Sequence, residues 1–78
     1  MLIKILGTGC KKCVTLTENT QAALANLGRE AEVVKVTDIA EIAAMGVMST
    51  PALAIDDQVV SMGKVLSPGE VEALLKAR

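Results

Sequence analysis

The sequence predicts an α/β fold in the order β-α-β-α-β-β-α, with a four-stranded mixed sheet flanked by helices. Three observations support this prediction: short apolar runs ended by turn residues, helical apolar spacing between those runs, and a strong helix-start signal near residue 67. A β-α-β start favours a parallel pair of strands with a right-handed crossover, and a later hairpin adds antiparallel strands. With 78 residues, the chain is predicted to form a single domain over residues 1–78.

The first half of the chain supplies two strands and the helix between them. Leu2–Leu6 is an apolar run that ends at Gly7-Thr8-Gly9, which predicts a buried strand followed by a loop. From Cys10 to Leu27 most apolar positions share one helical face, and Gly28 stands where a helix C-cap belongs. The segment Ala31–Val36 carries three valines and predicts the second strand.

The next segment predicts a short helix and a hairpin. Asp38 can cap this helix, Glu41 follows three residues later as in a capping box, and Gly46 ends it. Ala52–Ile55 and Gln58–Met62 then predict two strands, joined by a tight turn at the two aspartates between them.

The last helix carries the clearest local signal in the chain. Ser67 stands at the N-cap position, Pro68 at the first helical position and Glu70 at the third. The apolar residues that follow have the spacing of a buried stripe, so we expect this helix to pack on the sheet.

Composition excludes several classes of function. The chain has no aromatic residue and a net charge of −1, so nucleic-acid binding is not expected. It has no histidine, which excludes Ser-His and Cys-His nucleophiles and histidine-containing metal sites. No apolar run approaches the roughly 20 residues of a membrane span, and the apolar start is too short for a signal peptide. We therefore expect a cytoplasmic protein without a membrane partner.

The residues that carry chemistry are Gly9-Cys10-Lys11-Lys12-Cys13, between the first strand and the first helix. This spacing puts the two sulfurs within bonding reach and leaves Cys10 at the helix N-terminus. Backbone N–H groups, the helix dipole and the charges of Lys11 and Lys12 are expected to lower the pKa of the Cys10 thiol. Cys13, on the apolar stripe, is expected to be shielded. Cys10 then attacks a partner disulfide, and Cys13 resolves the mixed disulfide.

Two other interpretations of the same motif stay open. A soft-metal module would hold copper(I) or arsenite on the two thiolates. A non-catalytic adaptor would instead dock a partner through an apolar rim, for which Met45, Val47, Met48 and Met62 are the candidates. We expect these four side chains to lie in the core instead, because a small domain must bury much of its apolar surface.

Pro51 is the second candidate position. The predicted topology puts Thr50-Pro51, which precedes the third strand, beside the first strand and the two cysteines. A cis Thr50–Pro51 bond would turn the Thr50 backbone toward the sulfurs, whereas a trans proline would only begin a strand.

These motifs together resemble the thioredoxin superfamily: Gly9–Cys13 after the first strand, Val47–Leu53 before the hairpin, and Gly63 after it. In size the chain is similar to glutaredoxins, and it most resembles the small archaeal and bacterial redox-active disulfide proteins. The resemblance implies a minimal thioredoxin fold and a Cys10/Cys13 dithiol-disulfide couple with Cys10 as nucleophile. It also implies a cis Pro51, substrate contacts from Thr50, protein disulfides as substrates and no cofactor.

The departures from the family pattern concern the electron donor and the proton path. The motif is Cys-Lys-Lys-Cys, and residues 1–7 hold no counterpart of the buried acid of thioredoxins. Gly63 is followed by Lys64 instead of the Gly and Asp that help glutaredoxins to bind glutathione, so a reductase similar to thioredoxin reductase is the expected electron donor. The Cys-x-x-Cys stretch at the strand-to-helix junction also resembles heavy-metal-associated domains, but those end in a strand and this chain ends in a predicted helix.

Overall fold

The computed structural model describes residues 1–8 and 11–77. The element order is β-α-β-α-β-β-α, which confirms the predicted α/β architecture. The elements are β1 (Leu2–Leu6), α1 (Lys11–Leu27), β2 (Glu32–Val36), α2 (Ile39–Ala44), β3 (Ala52–Ile55), β4 (Gln58–Met62) and α3 (Pro68–Lys76). The second strand begins at Glu32, one residue later than predicted.

The four strands form one mixed sheet in the order β2-β1-β3-β4. β1 runs parallel to β2 and antiparallel to β3, and β3 pairs with β4 as an antiparallel hairpin. In the β1–β3 register Leu6 pairs with Ala52. The residues that follow β1 and those that precede β3 therefore meet at one end of the sheet, as the predicted topology requires.

The sheet separates two apolar clusters. Ile3, Ile5 and Leu53 face α1 and α3, where the larger cluster lies, and Leu6 faces α2 on the opposite side. β3 lies inside the sheet and all four of its residues are buried. The larger cluster comprises Ile3, Ile5, Leu16, Ala23, Leu24, Leu53, Ile55, Leu66, Val71 and Leu75. The smaller comprises Leu6, Val36, Ile42, Val47, Ala52 and Ala54.

Local chemistry fixes the hairpin turn and the end of the first helix. Asp56 and Asp57 both adopt positive φ angles, 50° and 66°, as the two central residues of a type I′ turn do. Asp56 also accepts a 2.9 Å hydrogen bond from the Leu2 N–H, which ties the turn to β1. Gly28 has a φ of 64° just past α1, and the Arg29 N–H donates to the Leu24 carbonyl at 3.0 Å, as in a Schellman cap.

The two later helices are capped at the predicted residues. Ser67 accepts a hydrogen bond from the Glu70 N–H at 3.2 Å, and Glu70 accepts one from the Ser67 N–H at 3.1 Å, which completes a capping box. Asp38 caps α2 by accepting the Ala40 N–H at 2.9 Å. Within the described part of the chain, no helix has the length and apolar character needed to cross a membrane.

Candidate active site

Helix α1 fixes the position of Cys13. The cysteine lies in the first turn and is only 6% exposed, because it begins the buried face that continues through Leu16. Thr17 and Thr20 also lie on this face, and each hydroxyl donates to a carbonyl one turn earlier, that of Cys13 at 2.9 Å and that of Leu16 at 2.8 Å. Hydrogen bonding satisfies both buried hydroxyls, so the polar residues do not weaken the packing of this helix face.

Gly7 is the residue against which the Cys13 sulfur packs. It is buried directly after β1, and its N–H donates to the Val36 carbonyl at 2.9 Å. A Cβ at this position would overlap Cys13 Sγ and would lie 3.8 Å from the Thr50 Cβ. Gly7 therefore brings α1 and the loop before β3 together, and it does so because it has no side chain. The sequence predicts Gly7 only as the residue that ends a strand, and this contact with Cys13 carries no signal in the sequence.

The Thr50–Pro51 loop lies on the other side of Gly7. The peptide bond between these residues is cis, Pro51 is buried and Thr50 is exposed. Gly63, which follows β4 with a φ of 68°, donates its N–H to the Pro51 carbonyl at 2.9 Å. A Cβ on Gly63 would lie 3.0 Å from the Ser49 Cβ, so this loop and the end of β4 are closely packed.

The predicted nucleophile, Cys10, lies outside the described residues, as does Gly9. Lys11 and Lys12 are exposed at the first two positions of α1, and the first turn carries no acidic residue. Positive charge is therefore concentrated where the helix dipole is also positive, an arrangement that favours an anion nearby.

A small, partly open pocket lies beside Cys13. Its volume is about 30 Å³, and Ile5, Gly7 and Val14 form much of its wall. The polar side chains that line it are those of Thr17, Lys35 and Thr37. Across residues 1–8 and 11–77, no three Cys, His, Asp or Glu side chains lie close enough together to hold a metal ion.

Two methionines near this end of the sheet are exposed, although the sequence predicts them in the core. Met48 is 92% exposed and Met62 is 50% exposed, so the prediction that they lie in the core is wrong for both. Val47 is buried in the smaller cluster, and Met45 packs against that cluster. Met48 lies two residues before Thr50. The chain is buried at Val47 and exposed over residues 48–50.

Comparison with known proteins places this geometry in a family. Residues 1–76 match the family described as thioredoxin domain. The chain belongs to the thioredoxin family. A protein named thioredoxin from Methanocaldococcus jannaschii is 47% identical over 77 residues, which cover 99% of this chain and 88% of that protein. Another protein named thioredoxin, from Methanothermobacter thermautotrophicus, is 37% identical over 75 residues, which cover 96% of this chain and 97% of that protein.

Family membership confirms the resemblance to the thioredoxin superfamily that the motifs indicate. The chain has the thioredoxin fold and is a thiol-disulfide oxidoreductase. Proteins of this class act on protein disulfides in general.

Proposed function

We propose that the chain exchanges a disulfide between Cys10 and Cys13 with the disulfides of partner proteins. The Cys10 thiolate attacks one sulfur of the partner disulfide, the partner S–S bond breaks, and its other sulfur leaves as a thiol after it takes up a proton. Cys13 then loses its proton and attacks the Cys10 sulfur. The Cys10–Cys13 bond forms, the bond to the partner breaks, and the partner has gained the two electrons that the dithiol lost.

The observation that carries the proposal is the position of the Cys13 sulfur. It is buried at the strand-to-helix junction, against Gly7, whose missing side chain also leaves room for the Thr50 side of the neighbouring loop. A resolving thiol needs protection from competing partners together with a fixed position near the attacking sulfur. Burial on α1 supports both the protection and the fixed position of Cys13. The two-residue spacing between Cys10 and Cys13 supports a bond between the two sulfurs.

The surface around Thr50 supports a protein as the substrate. Thr50 is exposed beside the buried Pro51, so its backbone is accessible to an extended segment of a partner. The exposed Met48 and Met62 flank this loop and offer adaptable apolar contact to segments of different sequence. We assign Thr50 and Pro51 to substrate binding, and Lys11 and Lys12 to stabilisation of the Cys10 thiolate.

For the electron donor we propose a reductase similar to thioredoxin reductase, acting in a reducing cytoplasm. Glutathione is a poorer candidate, because Gly63 is followed by Lys64 and not by a second glycine and an acid. No resident cofactor is required, since the two thiols hold both electrons.

A redox titration of the purified chain tests the proposal. The protein is equilibrated in defined thiol-disulfide buffers, trapped with an alkylating agent, and its modified cysteines are counted by mass. We expect a single two-electron transition between about −300 and −120 mV. Cys10→Ser and Cys13→Ser are the matched controls. Each should abolish the transition, and Cys10→Ser alone should also abolish formation of a mixed disulfide with a partner.

Two free thiols across the whole range would overturn the proposal. The reduced chain would then be tested for stoichiometric binding of copper(I) or arsenite at micromolar concentration, the chemistry of the alternative soft-metal module. A Cys10→Ser variant that kept a partner without turnover would instead indicate an adaptor.

A further inference from the structure

Residues 63–66 connect β4 to α3 and pack against the Thr50–Pro51 loop. At one end of this segment, the Gly63 N–H donates to the Pro51 carbonyl at 2.9 Å. At the other end Leu66 is 5% exposed, with its side chain in the larger apolar cluster. The segment belongs to no helix or strand. Because four residues span at most about 14 Å even when fully extended, the position of Leu66 restricts the position of Gly63.

The Asn19 side chain holds the far end of this segment. It lies half-buried on α1, and its Nδ2 group donates to the Leu66 carbonyl at 2.8 Å, across 47 residues of sequence. Within α3 the Ser67 carbonyl accepts the Val71 N–H at 3.0 Å, and Leu66 lies one residue before this N-cap. Its carbonyl therefore lies outside the hydrogen bonding of α3. The Asn19 amide supplies the bond that the helix does not.

A second contact on the same segment is weaker. Lys64 Nζ lies 2.7 Å from Glu70 Oε2, and the two side chains are 61% and 44% exposed. Ion pairs at the surface contribute little, because water screens them and both side chains lose freedom. The half-buried bond from Asn19 is less open to competition from water, so it is the main side-chain restraint on residues 63–66 among those that the structure describes.

Another asparagine on α1 makes a similar bond at a different place. Asn26 lies seven residues after Asn19, about two turns along the helix, and donates to Glu72 Oε2 at 3.2 Å. It joins α1 to α3 but bonds to the helix itself and not to residues 63–66. The two asparagines thus separate a general link between the helices from a link to the segment beside Pro51.

We propose that Asn19 is a positioning residue for partner binding, which acts through residues 63–66 on the Thr50–Pro51 loop. The proposal rests on the proposed exchange of disulfides with partner proteins. While the amide holds the segment, the Gly63 N–H keeps the loop in the position that receives an extended partner. Asn19 lies six residues from Cys13, about 9 Å along the axis of α1. Loss of its amide should therefore weaken partner binding and leave the reactivity of the thiols unchanged.

Amide hydrogen exchange in the intact chain tests the link between Asn19 and the loop. The probe is the Gly63 N–H, and the Gly7 N–H, which the sheet holds, reports general opening. Asn19→Ala removes the amide, and Asn19→Asp keeps the size of the side chain but cannot donate at neutral pH. Asn26→Ala is the matched control. We expect both Asn19 variants to speed exchange at Gly63 by roughly tenfold relative to Gly7, and the control to leave it unchanged.

Steady-state turnover of a synthetic peptide disulfide, with dithiothreitol as terminal reductant, measures the effect on partner binding. We expect both Asn19 variants to raise KM by roughly three- to tenfold and to change kcat by less than about twofold. The small reagent 5,5′-dithiobis(2-nitrobenzoate) cannot pair with the Thr50 backbone, so its rate of reaction with the reduced chain should be the same in every variant. Asn26→Ala should match the parent in both assays.

Three results would overturn the inference. Unchanged exchange at Gly63 in both Asn19 variants would show that the segment does not depend on the amide. Faster exchange with an unchanged KM would show that the loop position does not limit partner binding. Equal effects of Asn19→Ala and Asn26→Ala would indicate a general loosening of the helices. If the parent does not reduce the peptide, the proposed function fails, and exchange at Gly63 still decides whether the link from Asn19 exists.

Discussion

Substitution of Gly7 by alanine is the most direct test of how the site is packed. The added methyl group would overlap Cys13 Sγ and would lie 3.6 Å from the Cys13 Cβ. The backbone of Gly7 does not lie in the left-handed region, so alanine introduces no dihedral strain there and the effect is steric. Overpacking of a well-packed core typically costs about 1–3 kcal/mol. We therefore expect the free energy of unfolding to fall by about 2 kcal/mol and Tm to fall by roughly 8–16 °C.

Urea denaturation measures the fall in the free energy of unfolding, and two controls test whether the overlap with Cys13 Sγ causes it. Gly69→Ala adds the same methyl group in the first turn of α3, where the nearest atom is Ser67 Oγ at 4.0 Å, so this variant should be as stable as the parent or slightly more so. In a Cys13→Ala background, where the sulfur is gone, Gly7→Ala should cost much less than in the parent. An equal cost in both backgrounds would refute the reasoning, because the clash would then not involve Cys13.

Three further predictions concern the hairpin turn and the last helix. Asp57 has a φ of 66°, so the free energy of unfolding of Asp57→Gly should exceed that of Asp57→Ala by about 1 kcal/mol in urea denaturation. Equal urea midpoints for the two variants would contradict the left-handed turn. Ser67→Ala removes one side of the capping box and should lower the free energy of unfolding by about 1 kcal/mol in the same assay. The hydrogen bond from Lys64 holds the pKa of Glu70 below its ordinary value of 4.5, so the folded state binds fewer protons than the unfolded state. The resulting stabilisation is complete above pH 4.5 and is lost as the pH falls through the pKa of folded Glu70. Glu70→Gln should therefore lose less free energy of unfolding than the parent between pH 7 and pH 3. A parallel decline in the two proteins would contradict this prediction.

The parts of the fold that follow from local chemistry are those the sequence predicted well. Ser67, Pro68 and Glu70 specify the start of α3 within four residues, and the paired aspartates specify the turn between β3 and β4 without help from the rest of the chain. The sheet order followed from short-range rules as well, because a β-α-β unit and a hairpin leave few arrangements open.

The features that the sequence could not predict depend on contacts between elements. Gly7 and Cys13 are six residues apart, and their close approach depends on the angle at which α1 leaves the sheet. Lys35 reaches the pocket only because β2 aligns with β1 in the register that puts it opposite Ile5. Met48 is apolar and was expected in the core, yet its neighbour Val47 fills that place and leaves Met48 outward. Hydrophobicity alone does not decide which of two adjacent apolar residues is buried.

The structure divides the site into a fixed part and an accessible part. The sheet ladder holds Gly7, whose N–H bonds to the Val36 carbonyl, and the buried face of α1 holds Cys13, so two separate elements determine where the sulfur lies. Lys11, Met48 and Thr50, by contrast, are all exposed. A disulfide exchanger needs this division, because the internal bond must close with one geometry for every partner while the partners themselves differ. In the proposed function, the fixed part sets how fast a mixed disulfide is resolved, and the accessible part sets which partners form one.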